Sequence, residues 1–179
     1  MADVNVSTVA SRLPAESDRP GGAAFDLIEL LFFAYRDFTR DADELLVRLG
    51  FGRAHHRVLH FVNRHPGMRV ADLLDVLKIT KQSLGRVLRE LVKAGYVIQR
   101  AGAADRRQRL LYVTPKGEAL ARDLALLQTR RIARALHECG PGARDAARRF
   151  LAAMIDPAAR EAVEQLIARA DEAAATRAR

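Results

Sequence analysis

Cysteine is almost missing from this sequence: Cys139 stands alone, so neither an internal disulfide nor a cysteine-based zinc site can form. Tryptophan is absent and aromatics make up only 6% of residues. No apolar run approaches the ~20 residues that a bilayer-spanning helix needs. The N-terminus has no basic stretch followed by an apolar one, so no secretory signal is expected. These absences lead us to expect a soluble chain in a reducing cytoplasm. Glycine-rich phosphate loops, HExxH and GxSxG are missing too, and no carboxylate pair stands out for acid–base work. We expect no enzymatic activity and no cofactor.

Apolar residues still reach 49% of the chain, enough for a real core. Alanine, leucine and arginine dominate, which predicts a mainly α protein with little sheet. Acidic residues run short in one place. Residues 51 to 117 carry 14 Lys/Arg against 4 Asp/Glu, a surplus of ten, whereas the remainder carries 16 against 18. A basic segment of this kind is either a solvated surface or a footprint for a polyanion. Where the charges fall decides between them.

Residues 1 to 23 lack apolar periodicity and read as a flexible tail. A helical pattern from about Ala24 to Leu49 is apolar around much of its circumference, including Phe25, Phe32, Phe33 and Tyr35. That is too broad for one core and implies a second burial surface, most simply another subunit. Shorter helices are predicted over Arg53 to Arg64, Val70 to Leu77 and Lys81 to Ala94, the last stopped by Gly95. Two extended runs, Val97 to Arg100 and Arg109 to Val113, flank a polar tip containing Gly102 and read as a hairpin. Thr114-Pro115 then opens a helix to about Glu138. Further helices are expected over Ala143 to Met154 and Pro157 to Ala174.

Helix, helix, short turn, helix, hairpin is the layout of a winged helix-turn-helix. In the third of these helices, Leu84, Val87, Leu88, Leu91 and Val92 follow the spacing of a buried face. Gln82, Arg86, Arg89 and Lys93 fall opposite. Thr80 can cap the helix, whose free N–H groups and dipole favour a phosphate. Gln82, Ser83 and Arg86 are then placed for base edges, since arginine pairs well with guanine and glutamine with adenine. Arg100, Arg106, Arg107 and Arg109 crowd the hairpin around Asp105, which we expect to shape the tip by pairing with Arg107. Such a tip can follow phosphates or enter a narrow minor groove. The stripe and ribbon together favour double-stranded DNA over the alternative, a winged-helix module docking on an acidic protein.

The run from Ile79 through Thr80, Lys81, Gln82, Ser83, Leu84, Gly85, Arg86, Val87, Leu88, Arg89 and Glu90 to Leu91 resembles the MarR family. So do Lys93-Ala94-Gly95-Tyr96-Val97, Asp105-Arg106-Arg107 and Val113-Thr114-Pro115-Lys116-Gly117. The N-terminal helix and Met154-Ile155-Asp156-Pro157 look closest to the PetP-like subgroup. The resemblance covers roughly residues 25 to 135. It implies a homodimer joined by N- and C-terminal helices (residues 24–50 and 115–179) around winged domains (51–114), on a pseudo-palindromic operator. By motif, Thr80, Lys81, Gln82, Ser83 and Arg86 take recognition-helix contact positions, and Arg106 and Arg107 the wing. Many members bind a small aromatic or anionic effector between these parts, for which Tyr35, His55 and His56 are the candidate lining residues. Val70 departs from the usual capping Ser or Thr, and Gly85 from a commoner Thr or Ser. No nearby Cys or carboxylate joins His56 and His60 to complete a metal site, so no metal is expected. Cys139 reads as an incidental thiol.

Overall fold

The computed structural model describes residues 24–103 and 105–177, so the expected tail over 1–23 lies outside the described residues. The chain divides into two compact units, Met1–Asp37 and Phe38–Arg179. Helix α1 (Phe25–Val47) begins in the first and ends in the second. In the first unit, Phe25, Leu27, Ile28, Leu30, Leu31, Phe32, Phe33 and Tyr35 are all exposed. No described helix is long and apolar enough to cross a membrane.

The second unit continues with α2 (Arg53–Arg64), β1 (Met68–Arg69), α3 (Val70–Leu77), α4 (Lys81–Lys93), β2 (Val97–Ala101) and β3 (Arg109–Val113). It closes with α5 (Pro115–Cys139), α6 (Ala143–Met154) and α7 (Pro157–Arg177). The three strands form one antiparallel sheet in the order β1-β3-β2. Val97 faces Val113 and Ala101 faces Arg109 across the hairpin, while Met68 faces Leu111. Strand β1 has no counterpart among the elements that periodicity predicts. Two residues carry no period, and Met68-Arg69 is extended only because β3 lies beside it.

The core of this unit is largely aliphatic, with Tyr96 its buried aromatic among the described residues. Leu46, Leu59, Leu73, Leu84, Leu91, Leu111 and Leu124 are at most 2% exposed. Each contributes about 1.5–3 kcal/mol by leaving water. Helix α2 supplies Val58, Leu59 and Val62 to the middle of this cluster.

Local chemistry sets the helix ends. Thr114 Oγ1 accepts from the Gly117 N–H (3.1 Å) and donates to the Gly95 carbonyl (2.7 Å). Helix α3 has no hydroxyl cap, since its N-cap is Arg69. Asp72 reaches back instead and accepts from the Arg69 backbone N–H (3.2 Å) and guanidinium. At the end of α4, Gly95 takes φ +75° and donates to Val92, while Tyr96 donates to Leu91. These two bonds satisfy the last carbonyls of the helix, and only glycine takes such a φ without cost. Lys78, after α3, is the one non-glycine with positive φ (50°) among the described residues. A left-handed conformation costs an L-residue about 1–2 kcal/mol.

Candidate nucleic-acid interface

Thr80 and Ser83 organise the start of α4 together. Thr80 Oγ1 accepts from the Ser83 N–H (3.2 Å), and its own proton goes to Ser83 Oγ at 3.0 Å. The expected N-cap is therefore present, and the two hydroxyls form one small unit at the helix entrance. Leu84, Val87, Leu88 and Leu91 are buried. Val92, expected on that face, is 39% exposed instead. It sits on the flank, where Val92 and Ile98 floor an open groove between α4 and β2 that Arg89, Lys93 and Gln99 rim.

Lys81, Gln82, Arg86, Arg89 and Lys93 are exposed, so the polar stripe faces outward as the spacing predicts. A Cβ on Gly85 would meet Arg89 Nη1 at 3.5 Å, an ordinary contact. The missing side chain thus leaves room for the Arg89 head to lie back along the helix.

Two supports hold α4 from behind. His55 Nδ1 accepts from the Gly52 N–H at 3.1 Å, and its Nε2 lies 2.6 Å from a carboxylate oxygen of Glu90. Because Nδ1 is an acceptor, the proton of the neutral ring sits on Nε2 and is donated to Glu90. The ring also stacks on Phe51, with centroids 4.6 Å apart. At the other end, Lys116 Nζ donates to the Ala94 carbonyl (2.9 Å) and lies over the Tyr96 ring. A cation at a helix C-terminus is stabilising. Neither tie is visible in the sequence, since both join residues more than twenty positions apart.

The wing departs from expectation in one respect. Asp105 Oδ1 accepts from the backbone N–H of Arg107 at 2.9 Å, and the Asp105 carbonyl from Gln108 at 3.0 Å. Asp105 thus shapes the tip through the main chain, as short acidic side chains do in turns. Arg106, Arg107 and Arg109 are exposed, whereas Arg100 turns back over the Tyr112 ring, 5.1 Å from its centroid. Gly102 is needed here: a Cβ would stand 2.8 Å from the Asp105 carbonyl oxygen.

Tyr35 belongs to the first unit and is exposed, while both ring nitrogens of His55 are engaged within the second. His56 is half-buried, and desolvation holds its imidazole below the usual range against the opposing pull of Asp43. Among the described residues no group of three His, Cys, Asp or Glu side chains could hold a metal.

This arrangement, a capped basic helix beside an arginine-tipped ribbon, is that of a winged helix-turn-helix DNA-binding protein. A model of the MarR family matches residues 49–108. The HTH-type transcriptional regulator PetP of Rhodobacter capsulatus is 48% identical over 139 residues, covering 78% of this chain and 84% of that protein. Among solved structures, MarR superposes with a TM-score of 0.60 at 21% identity, over 85% of this chain and 99% of that one. The Mycobacterium tuberculosis MarR family protein Rv2887, in complex with p-aminosalicylic acid, superposes with a TM-score of 0.51 at 25% identity, over 70% and 95%. The chain belongs to the MarR family and is a DNA-binding transcriptional regulator.

Proposed function

We propose that the chain acts as a homodimer on a pseudo-palindromic operator, placing two α4 helices in major grooves about one helical turn apart. Gln82, Ser83 and Arg86 read base edges, the entrance at Thr80 and Lys81 receives a phosphate, and Arg89 extends the contact along the helix. Arg106 and Arg107 follow the backbone or enter the minor groove. One observation carries this reading: the outward stripe of α4 and the wing arginines are both exposed, inside the segment that holds all the surplus positive charge. The apolar side chains exposed on the first half of α1, and Phe150, Leu151 and Met154 on α6, support a subunit interface.

A small aromatic or anionic effector would modulate the operator complex by preferring one arrangement of the dimer, since only differential affinity shifts such an equilibrium. Support comes from the p-aminosalicylic acid complex of the mycobacterial relative. It comes also from a cleft of about 610 Å³ in the second unit, where Arg64, His65, Met68 and Arg69 face Leu166 and Arg169 of α7.

Footprinting over the gene's own upstream region tests the proposal. A protected, two-fold symmetric site and tighter binding there than to a scrambled duplex are expected. Equal, weak binding to both would instead favour docking on an acidic protein partner.

A further inference from the structure

Six described residues have positive φ, and five of them are glycine: Gly50, Gly67, Gly95, Gly140 and Gly142. The sixth is Lys78, in the turn between α3 and α4. A Cβ is unfavourable in that conformation, and glycine would remove the conflict. Among the described residues, no contact calls for a lysine there. The backbone N–H of Lys78 donates to the Leu74 carbonyl at 2.9 Å, a bond that glycine would make equally well. The neighbouring Leu77 carbonyl is already met by Arg57 Nη2 at 3.0 Å. The Lys78 side chain itself is exposed. Strain kept at one position, in a sequence that relieves it elsewhere, points to a use for the side chain.

The position suggests that use. Lys78 lies two residues before the Thr80 cap and three before Lys81, so its Cα is within about 11 Å of that of Lys81. A recognition helix presents its N-terminal residues to the bases, which brings the preceding turn to the lip of the groove, where the phosphates run. We propose that Lys78 is a further DNA-contact residue, binding a backbone phosphate from a strained turn. The inference rests on the operator reading above.

The two properties of Lys78 are separable. Lys78→Gly and Lys78→Asn remove the charge while suiting the backbone; Lys78→Arg keeps the charge. Full-length variants are titrated by fluorescence anisotropy against the footprinted duplex across a salt series, and melted in parallel. The Gly and Asn variants should bind about fivefold more weakly at 0.15 M salt for each phosphate left unneutralised, with the log–log salt slope shallower by about 0.9 per phosphate. Their melting midpoints should hold or rise. Lys78→Arg should keep the wild-type slope. An unchanged slope in Lys78→Gly overturns the inference while leaving operator binding intact. So do lowered midpoints in both uncharged variants, the result a purely structural lysine at the end of α3 would produce. A wild-type chain with no preference for its upstream duplex brings down the operator reading, and this inference with it.

Discussion

The recognition helix and the wing tip carry the same kind of charge but are held in opposite ways. Helix α4 is fastened along its length: four buried aliphatic side chains on one face, the Thr80 cap at its start, Glu90 to His55 behind, and Lys116 on the Ala94 carbonyl at its end. The described part of the wing tip is held by short local bonds to its main chain, from the Asp105 carboxylate to the Arg107 N–H and from the Gly102 N–H to the Gln108 carbonyl. A rigid helix suits readings that depend on sub-ångström placement, such as bidentate contacts to bases. A tip held at its backbone leaves arginine heads that adapt to phosphates whatever the sequence. The difference predicts where specificity and bare affinity reside.

The sharpest way to break the comparison is at the joint between the two regions. A Cβ on Gly117 would stand 2.0 Å from the carbonyl oxygen of Tyr96, which lies in the turn between α4 and β2. Gly117→Ala must displace one or the other, and overpacking of this kind costs about 1–3 kcal/mol or more. A clear drop in the denaturant midpoint is expected; a wild-type midpoint would mean that the joint is soft.

Binding variants sharpen it next. Arg86→Ala should cost about 1–3 kcal/mol on the operator and relax preference at one base position, leaving non-specific binding nearly intact. Arg107→Ala should weaken binding to every sequence alike and reduce the salt slope by about 0.9 for each phosphate it no longer neutralises. Competition titrations with operator and scrambled duplexes separate the two patterns. Swapped patterns would reverse the division of labour.

Acid should weaken the fold around α2. His56, His60 and His65, on or just after α2, are all held below the usual imidazole range, first by desolvation; neighbouring positive groups add to this at His60 and His65. The His60 value falls to about 4. A depressed folded value means that the unfolded chain binds more protons, so stability is lost as pH drops below the unfolded value of 6.5 toward the folded one. The thermal midpoint should fall between pH 7 and pH 5, and less steeply in His60→Gln. A flat profile would count against it.

The smallest effect concerns Gly85. A Cβ there meets only the head of Arg89, at ordinary contact distance, so Gly85→Ala should raise stability by up to about 1 kcal/mol through helix propensity. A thermal melt checks this. A loss of stability would show that the Arg89 head is more tightly seated than its exposure suggests.

Much of the DNA-binding region was legible because its signals are local. The 3.6-residue period of Leu84, Val87, Leu88 and Leu91, the Thr80 and Thr114 caps and the stop at Gly95 each act within a turn or two of chain. What escaped reading depended on distant partners or on the exact path of the backbone. Asp72 substitutes for the missing hydroxyl cap of α3 by reaching back to Arg69. Val92 satisfies the apolar period yet faces a groove, because β2 closes over only part of that flank. Asp105 does shape the tip, but its partner is a backbone N–H, a choice that turn geometry makes and composition cannot reveal.

By itself, the sequence determined the order of the helices and the hairpin, the limits of the helices to within a few residues, and the side of α4 on which charge gathers. Periodicity and capping are short-range physics and need no knowledge of the fold. Only the tertiary structure decided that Met68-Arg69 is a strand, that His55 steadies Glu90, and that Lys116 closes α4. Each of these pairs a group with one far away in the chain, and folding alone brings them within reach.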